Sequence, residues 1–532
     1  MTFWTPESLR SSCGGVWLVR PPQMELPKDR PVDLPLPPLH APITGVCTDT
    51  RSIKPGQVFI ALRGERFDGH QFLKAAVAAG SPIIIIDEAG AAVVEPYEPV
   101  VGVMKVADTG KALMRIAAAY RKSLERTRVI AVCGSNGKTT TTSLIKQVLT
   151  GCGLRGTASP KSYNNAVGVP LTILSTQPTD QFLICEVGTN APGEIAQLAE
   201  IVNPDIAVIT SIGREHLERL GDLAGVAREE ASVFKFLKAA PKGCAIVTAD
   251  APELSEHLKN VGNVITFGRN AEADLRLTGV RHVFEGSWSG VEFVINDRMT
   301  CRVGLIGEHN AMNALGALAV ARRMGIDDQK AIAALATASG PEMRLQREMI
   351  AVGGMGGTGG VEVLNDAYNA NPDSMIAGLH TVVALARDRS PAPVRVVAVL
   401  ADMLEMGSAA DEGHRSIGRA LIELGAQKAN PKFGLVVLCG PTMKRAHDLL
   451  LEAGWPPSTV VHLAEMDDHA TQRVSGLLRA GDLVLLKGSR RMRLERVVDA
   501  LRSRFPQGQQ HGEVGGGGEV MAEVKGVPAM AG

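Results

Sequence analysis

The chain has 532 residues carrying 56 basic and 56 acidic side chains, so its formal net charge is zero. At roughly 100–200 residues per domain the length predicts two to four domains, and 45% hydrophobic against 21% charged residues excludes a disordered chain. Neutral balance excludes bulk positive charge as the means of holding nucleic acid or an anionic membrane, and aromatics at 4% are too few for stacked-base or carbohydrate platforms.

The first residues, MTFWTPESLR, lack a basic segment leading into an apolar run, so no signal peptide is expected. Residues 21–42 contain eight prolines and predict an extended surface insertion or linker. Strands are predicted at 58–62, 83–86, 129–133, 183–187, 206–212, 245–248, 394–400, 435–439 and 483–486. Most are β-branched and apolar on both parities, as parallel strands covered on both faces should be. Helical patterns follow many of them, for example 138–150 and 309–324. This alternation predicts an α/β fold with open parallel sheets. Residues 275–303 break the rhythm and alternate around GSWSG, an antiparallel patch. From Pro506 the chain turns Gly-rich and polar, and a disordered tail is expected over 506–532. No apolar run approaches the ~18–20 residues that cross a bilayer. Eight scattered cysteines without a C-x-x-C pair predict a reduced, cytoplasmic chain rather than a disulfide framework or zinc site.

The segment 128–149, RVIAVCGSNGKTTTTSLIKQVL, carries the most chemistry. An apolar strand enters Gly134, Ser135, Asn136, Gly137, Lys138, Thr139 and Thr140, then an amphipathic helix with Leu144, Ile145, Val148 and Leu149 on one face and Gly151 as its expected stop. Glycines let backbone N–H groups turn around a phosphate, and the helix N-terminus adds partial positive charge. Lys138 would reach the β/γ-phosphates and the Thr139 hydroxyl would ligate Mg²⁺. Val132 stands where the first glycine of the full phosphate-loop spacing belongs. Glu186 ends one strand and His216 follows another, which places both at the ligand-binding edge of an open parallel sheet. A carboxylate and an imidazole there suit Mg²⁺ held against a transferred phosphate.

Further motifs occur in order: TDTR (48–51) with PGQVFIALRGERFDGH (55–70), NNAVGVP (164–170), EVGTN (186–190), EHLERLG (215–221), GEHNAMNALGA (307–317), PEMR (341–344), NDAYNANPDSM (365–375), ADMLEMG (401–407) and LLKGSRRMRLE (485–495). With the phosphate loop, this set resembles the Mur ligase family, the ATP-dependent amide-forming enzymes of peptidoglycan precursor synthesis. The resemblance implies a three-domain architecture: a UDP-sugar domain over 1–125, a central phosphate-loop ATPase domain with a parallel sheet over 126–340, and a Rossmann-like ligase domain over 341–505. YNANP and ADMLEMG look like the member that adds D-alanyl-D-alanine to UDP-N-acetylmuramoyl-tripeptide. The physical reading of the same run is a helix start, with Asn371 as N-cap, Pro372 at the first position and Asp373 in the first turn.

The resemblance assigns roles residue by residue. Asp49, Thr50 and Arg51 would lie at the uridine-diphosphate end of the substrate, and residues 134–140 would cradle ATP. Asn165 would face the growing peptide, while Glu186 and His216 would bind the catalytic Mg²⁺ ions. Asn310 and Asn313, three apart on one helical face, would meet adenine. Arg344 and Asp366 would close on the nucleotide, and Asn369, Asn371, Lys487 and Ser489 would place the incoming dipeptide. Two residues depart from the family pattern. Glu230 stands where many members carry a carbamylated lysine, and with a reference pKa of ~4.3 it would supply a carboxylate without carbon dioxide. Asn365 stands where an aspartate is common. The implied partners are small-molecule substrates, with no nucleic acid and no membrane, and the implied state is a monomer. A ligase of this type adding a single amino acid, a folylpolyglutamate synthase-like relative and a non-catalytic nucleotide-binding scaffold remain the alternatives.

Overall fold

The computed structural model describes residues 3–21, 42–64, 67–91, 101–285, 288–351, 359–388, 394–428 and 430–504. The Pro-rich segment and the Gly-rich tail therefore fall almost wholly outside the described residues. Among the described residues the chain forms three main sheets and a two-stranded hairpin. The first sheet runs in the spatial order Val16–Val19, Gly102–Lys105, Ile83–Ile86, Gln57–Ile60, Gly45–Cys47. Its first pair is antiparallel and the rest parallel.

The central sheet has nine strands. Three antiparallel strands, Leu275–Glu285, Trp288–Ile295 and Met299–Val303, form one end, as the alternation at 275–303 predicts. The remainder is parallel and passes through Cys244–Thr248 and Ile206–Ile209 to Arg128–Cys133, then Phe182–Glu186 and Gly156–Ala158. The inner parallel strands, residues 129–133, Phe182–Glu186, Ile206–Ile209 and Cys244–Thr248, are buried throughout because helices cover both faces, which is why they read as unbroken apolar runs. The strand order reverses at Arg128–Cys133, and a crevice opens at the carboxyl ends beside such a reversal. Register makes those ends nearly flush, with Glu186 opposite Val132 and Ile209 opposite Cys133.

Two local expectations shift. Helix Lys138–Gly151 buries Leu144, Ile145, Val148 and Leu149 as expected, but it continues through Gly151. The left-handed residue that ends it is Gly153 at φ 88°, whose N–H donates to the Thr150 carbonyl. The strand expected over 206–212 stops at Ile209. Thr210 and Ser211 leave the ladder because their hydroxyls hydrogen-bond Asn136 in the phosphate loop.

The third sheet is parallel except for its edge strand Gln346–Ala351. Strands Gly360–Asp366 and Asp482–Lys487 lie side by side in it, with Asp366 opposite Lys487. Each face of this sheet has its own apolar cluster. The first and central sheets, by contrast, share one continuous cluster that runs from Leu9 through Ile83 and Val129 to Leu254. Helix Thr109–Ser123 makes that junction, and its Arg121 donates to the carbonyls of Val202 and Asn203 at the end of helix Glu194–Val202. No described helix is long and apolar enough to cross a membrane.

Candidate active site

A cavity of about 640 Å³ sits at the carboxyl ends of the central strands, roofed by the third sheet's domain. Its floor is the phosphate loop. Gly134 and Gly137 take left-handed φ values of 114° and 87°. A side chain at either would also collide with Thr210 or Asn313, so both positions require glycine. The turn they allow sets the N-terminus of helix Lys138–Gly151 under the cavity, where the helix dipole favours an anion. Thr210 Oγ1 donates to the Asn136 carbonyl at 2.6 Å, and Ser211 Oγ accepts from the Asn136 N–H at 2.9 Å. Lys138 Nζ folds back over the loop, donating to the carbonyls of Gly134 at 2.5 Å and Ser135 at 3.3 Å, with Glu215 Oε2 at 3.8 Å. Burial alone would lower this ammonium's pKa. Glu215, Glu230 and Glu186 outweigh that penalty and raise it, so the lysine stays charged.

The carboxyl groups around Lys138 differ in their needs. Glu186 Oε1 accepts from Asn164 Nδ2 at 2.9 Å, while its buried Oε2 has no hydrogen-bond partner. Burial raises the Glu186 pKa against the opposing pull of Lys138 and the Thr139 hydroxyl. Burial likewise raises Glu215 and takes Glu230 to about 8. Oε1 of each of these two is buried without a donor, but each carboxyl group has the other as a hydrogen-bonding neighbour. Glu186 has no such remedy. An unpartnered buried carboxylate oxygen is costly, and a divalent cation at the cavity wall removes the cost. Thr139 and His216 line the same cavity, and His216 holds a left-handed φ of 48° that is uncommon for a non-glycine residue. Among the described residues no three His, Cys, Asp or Glu side chains converge closely enough to hold a metal unaided. The donor set fits an ion such as Mg²⁺, which takes one or two protein carboxylates and completes its shell with phosphate oxygens and water.

The roof comes from the third sheet and its loops. Arg344 lies over the Tyr368 ring, 4.4 Å from its centroid. Lys487 Nζ donates to Asp366 Oδ2 at 2.6 Å and to the Asn369 carbonyl at 3.2 Å. Burial pulls the Lys487 pKa down and Asp366 opposes it, leaving it lowered. Asn371 caps helix Pro372–Arg387 in a reciprocal capping box with Ser374, as its sequence predicts. Its Nδ2 also donates to Asn136 Oδ1 at 2.9 Å, which ties the roof directly to the phosphate loop. Also in the cavity lining, Asn313 Nδ2 donates to Asn310 Oδ1 at 2.9 Å, so the two asparagines do share one helical face.

Most of the expected site residues converge here. Ser135 to Thr140, Asn165, Glu186, His216, Asn310, Asn313, Arg344, Asp366, Asn369, Asn371 and Lys487 all line the cavity. Gly134, Glu230, Ser489 and the trio Asp49, Thr50 and Arg51 do not. Gly134 and Glu230 lie just beneath the loop, where the Gly134 N–H donates to Glu230 Oε2 at 2.7 Å. Glu230 is fully buried, and the expectation that it is already ionised near neutral pH needs correction for the metal-free protein. Burial and the neighbouring Glu215 raise its pKa to about 8, so it holds its proton more tightly than an ordinary carboxyl group does. Ser489 Oγ accepts from the Leu404 N–H at 2.9 Å and joins the KGS turn to the ADMLEMG loop instead of facing the cavity. Asp49 and Arg51 form an exposed ion pair in the loop after strand Gly45–Cys47. Asn165 spends its side-chain oxygen on the N–H groups of Val167 and Gly168. Asn365, in place of the family's aspartate, accepts from the Ala367 N–H at 3.3 Å. Sequence reasoning missed Glu215, Asn164, Arg214 and Asp373. The one local signal for Glu215 was its place beside His216 in a loop leaving a strand end.

Comparison with known proteins agrees with this arrangement. Residues 42–121 match the family description "Mur ligase family, catalytic domain", residues 132–321 match "Mur ligase middle domain", and residues 343–490 match "Mur ligase, glutamate ligase domain". A UDP-N-acetylmuramoyl-tripeptide--D-alanyl-D-alanine ligase of Bacillus subtilis is 34% identical over 461 residues, covering 86% of this chain and 93% of the relative. The Escherichia coli protein of the same name is 30% identical over 86% of this chain and 94% of its own length. The crystal structure of MurF from Acinetobacter baumannii superposes with a TM-score of 0.75 at 26% identity, covering 94% of this chain and 99% of that one. With family matches over most of its length and relatives at this level of identity, the chain belongs to the Mur ligase family.

Proposed function

We infer that this protein is an ATP-dependent ligase that joins D-alanyl-D-alanine to UDP-N-acetylmuramoyl-tripeptide in peptidoglycan precursor synthesis, releasing ADP and phosphate. The observation that carries this reading is the contact between the NANP turn and the phosphate loop, Asn371 to Asn136. The segment that looks like the dipeptide-adding members is thereby built into the phosphate-handling floor.

The chemistry divides into two displacements. The tripeptide carboxylate takes the γ-phosphoryl group of ATP to give an acyl phosphate, and the dipeptide amine then displaces phosphate to form the amide. The loop amides and the helix N-terminus bind the phosphates, and Lys138 leaves the Gly134 carbonyl to meet charge developing on the transferred group. Glu186, His216 and Thr139 are the residues that would hold Mg²⁺. When bound, that ion neutralises charge on the phosphoryl oxygens. Glu215 and Glu230 keep Lys138 protonated and the loop in place from below. Arg344 and Asp366 close on the nucleotide, Asn310 and Asn313 face its base, and Asn369 and Lys487 place the dipeptide. The roof excludes water from an intermediate that would otherwise hydrolyse. Asp49, Thr50 and Arg51 are assigned to the uridine end of the substrate, beyond this cavity. A monomeric cytoplasmic enzyme completes the reading, with domain limits near 125 and 340. ADP release from purified protein should require both peptide substrates. Release that is indifferent to the tripeptide precursor would contradict the assignment.

A further inference from the structure

Arg214 immediately precedes Glu215 and His216, and it belongs to the central domain. Its backbone N–H donates to Asp373 Oδ2 at 2.8 Å, while its Nε and Nη2 donate to Asp373 Oδ1 at 3.1 and 2.7 Å. Asp373 lies in the first turn of helix Pro372–Arg387, two residues after the Asn371 that contacts Asn136. The neighbouring Gly213 approaches so closely that a Cβ there would come within 3.0 Å of Asp373 Oδ2 and 3.3 Å of Asn136 Nδ2. Gly213 in turn exchanges hydrogen bonds with Ser135 through its N–H and carbonyl. One helix end in the third domain thus grips both the phosphate loop and the segment that presents Glu215 and His216. The grip itself is polar.

We propose that Arg214 and Asp373 form the latch through which docking of the third domain sets Glu215 and His216 against the phosphate loop, which makes both of them positioning residues for phosphoryl transfer. This deepens the ligase reading and rests on it. The pair is partly exposed, with side chains 45% and 34% accessible. An exposed ion pair shifts an equilibrium by roughly fivefold at most, so the latch tunes closure and does not hold the domains together alone.

The test is a double-mutant cycle on Arg214→Ala, Asp373→Ala and the double variant, with kcat and ATP KM from ADP release in the presence of both peptides. Each single variant should lower kcat roughly two- to fivefold, with ATP KM within about twofold. The double variant should be no slower than the slower single one, and Arg214→Lys should recover part of the loss. Small-angle scattering with a non-hydrolysable ATP analogue and Mg²⁺ should show each alanine variant more extended than the wild type. Wild-type kcat in both single variants, or losses that multiply in the double variant, would overturn the latch. If the wild type releases no ADP with these peptides, the ligase reading fails on its own. The scattering arm then still decides, because variants as compact as the wild type refute the latch.

Discussion

Lys138 makes a different set of contacts from the one it needs during turnover. It now bonds two loop carbonyls, and its charge is sustained by Glu215, Glu230 and Glu186. Removing one well-placed donor from a charge-developing centre costs about 10²–10³ in kcat. Lys138→Met should therefore slow ADP release by that order, and a loss under tenfold would deny it the role. Glu230 gives a pH test. Its folded pKa of about 8 lies well above the ordinary carboxylate range, so the folded state binds the extra proton. Its contribution to stability is fully present below the unfolded pKa and is lost as pH rises toward 8. Glu230→Gln keeps an acceptor for Gly134 and never ionises. In metal-free buffer its melting temperature should gain on the wild type between pH 5.5 and 8.5, by roughly 2–4 °C for each kcal/mol. A constant difference across that range would show that Glu230 does not hold the proton. The phosphate loop was legible because its glycines, lysine and threonines are contiguous. The Glu230 contact was not, because it joins residues 96 positions apart and depends on how a helix packs beneath the loop.

Helix Pro372–Arg387 begins where Asn-Pro-Asp says it should, since capping is local chemistry written in three residues. That its N-cap also serves the phosphate loop could not be read locally. The two duties separate in Asn371→Asp, which keeps an oxygen for the Ser374 N–H and removes the donor to Asn136. The melting temperature should stay within about 2 °C, because the cap worth roughly 1 kcal/mol survives. Turnover should fall several-fold, and unchanged turnover would mean that the Asn136 contact is incidental. Long buried strands were legible from their unbroken apolar runs. The short strands Gly45–Cys47 and Gly156–Ala158, and the edge strand Gln346–Ala351 with its mostly exposed side chains, offer too few apolar residues to stand out.

At the scale of the molecule, three sheets do not make three independent bodies. The first two share a continuous apolar cluster, whereas the third is packed on both faces by clusters largely its own. Its contacts at the site are polar, and polar interfaces of this kind permit relative domain motion. Scanning calorimetry should resolve two cooperative units, the larger comprising the first two sheets. Three separate transitions would contradict a shared core. This division was not legible in the sequence, because the linker positions mark where domains meet but not which faces fuse. The neutral chain meets anionic substrates with placed amides and a few cations, as its composition required. The most direct test of the function is product mass from purified protein given ATP, Mg²⁺, UDP-N-acetylmuramoyl-tripeptide and equal concentrations of D-alanyl-D-alanine and single amino acids. The expected product is the pentapeptide precursor, with one ADP per amide formed. A product one amino acid longer than the tripeptide, or ADP release without any amide, would contradict it.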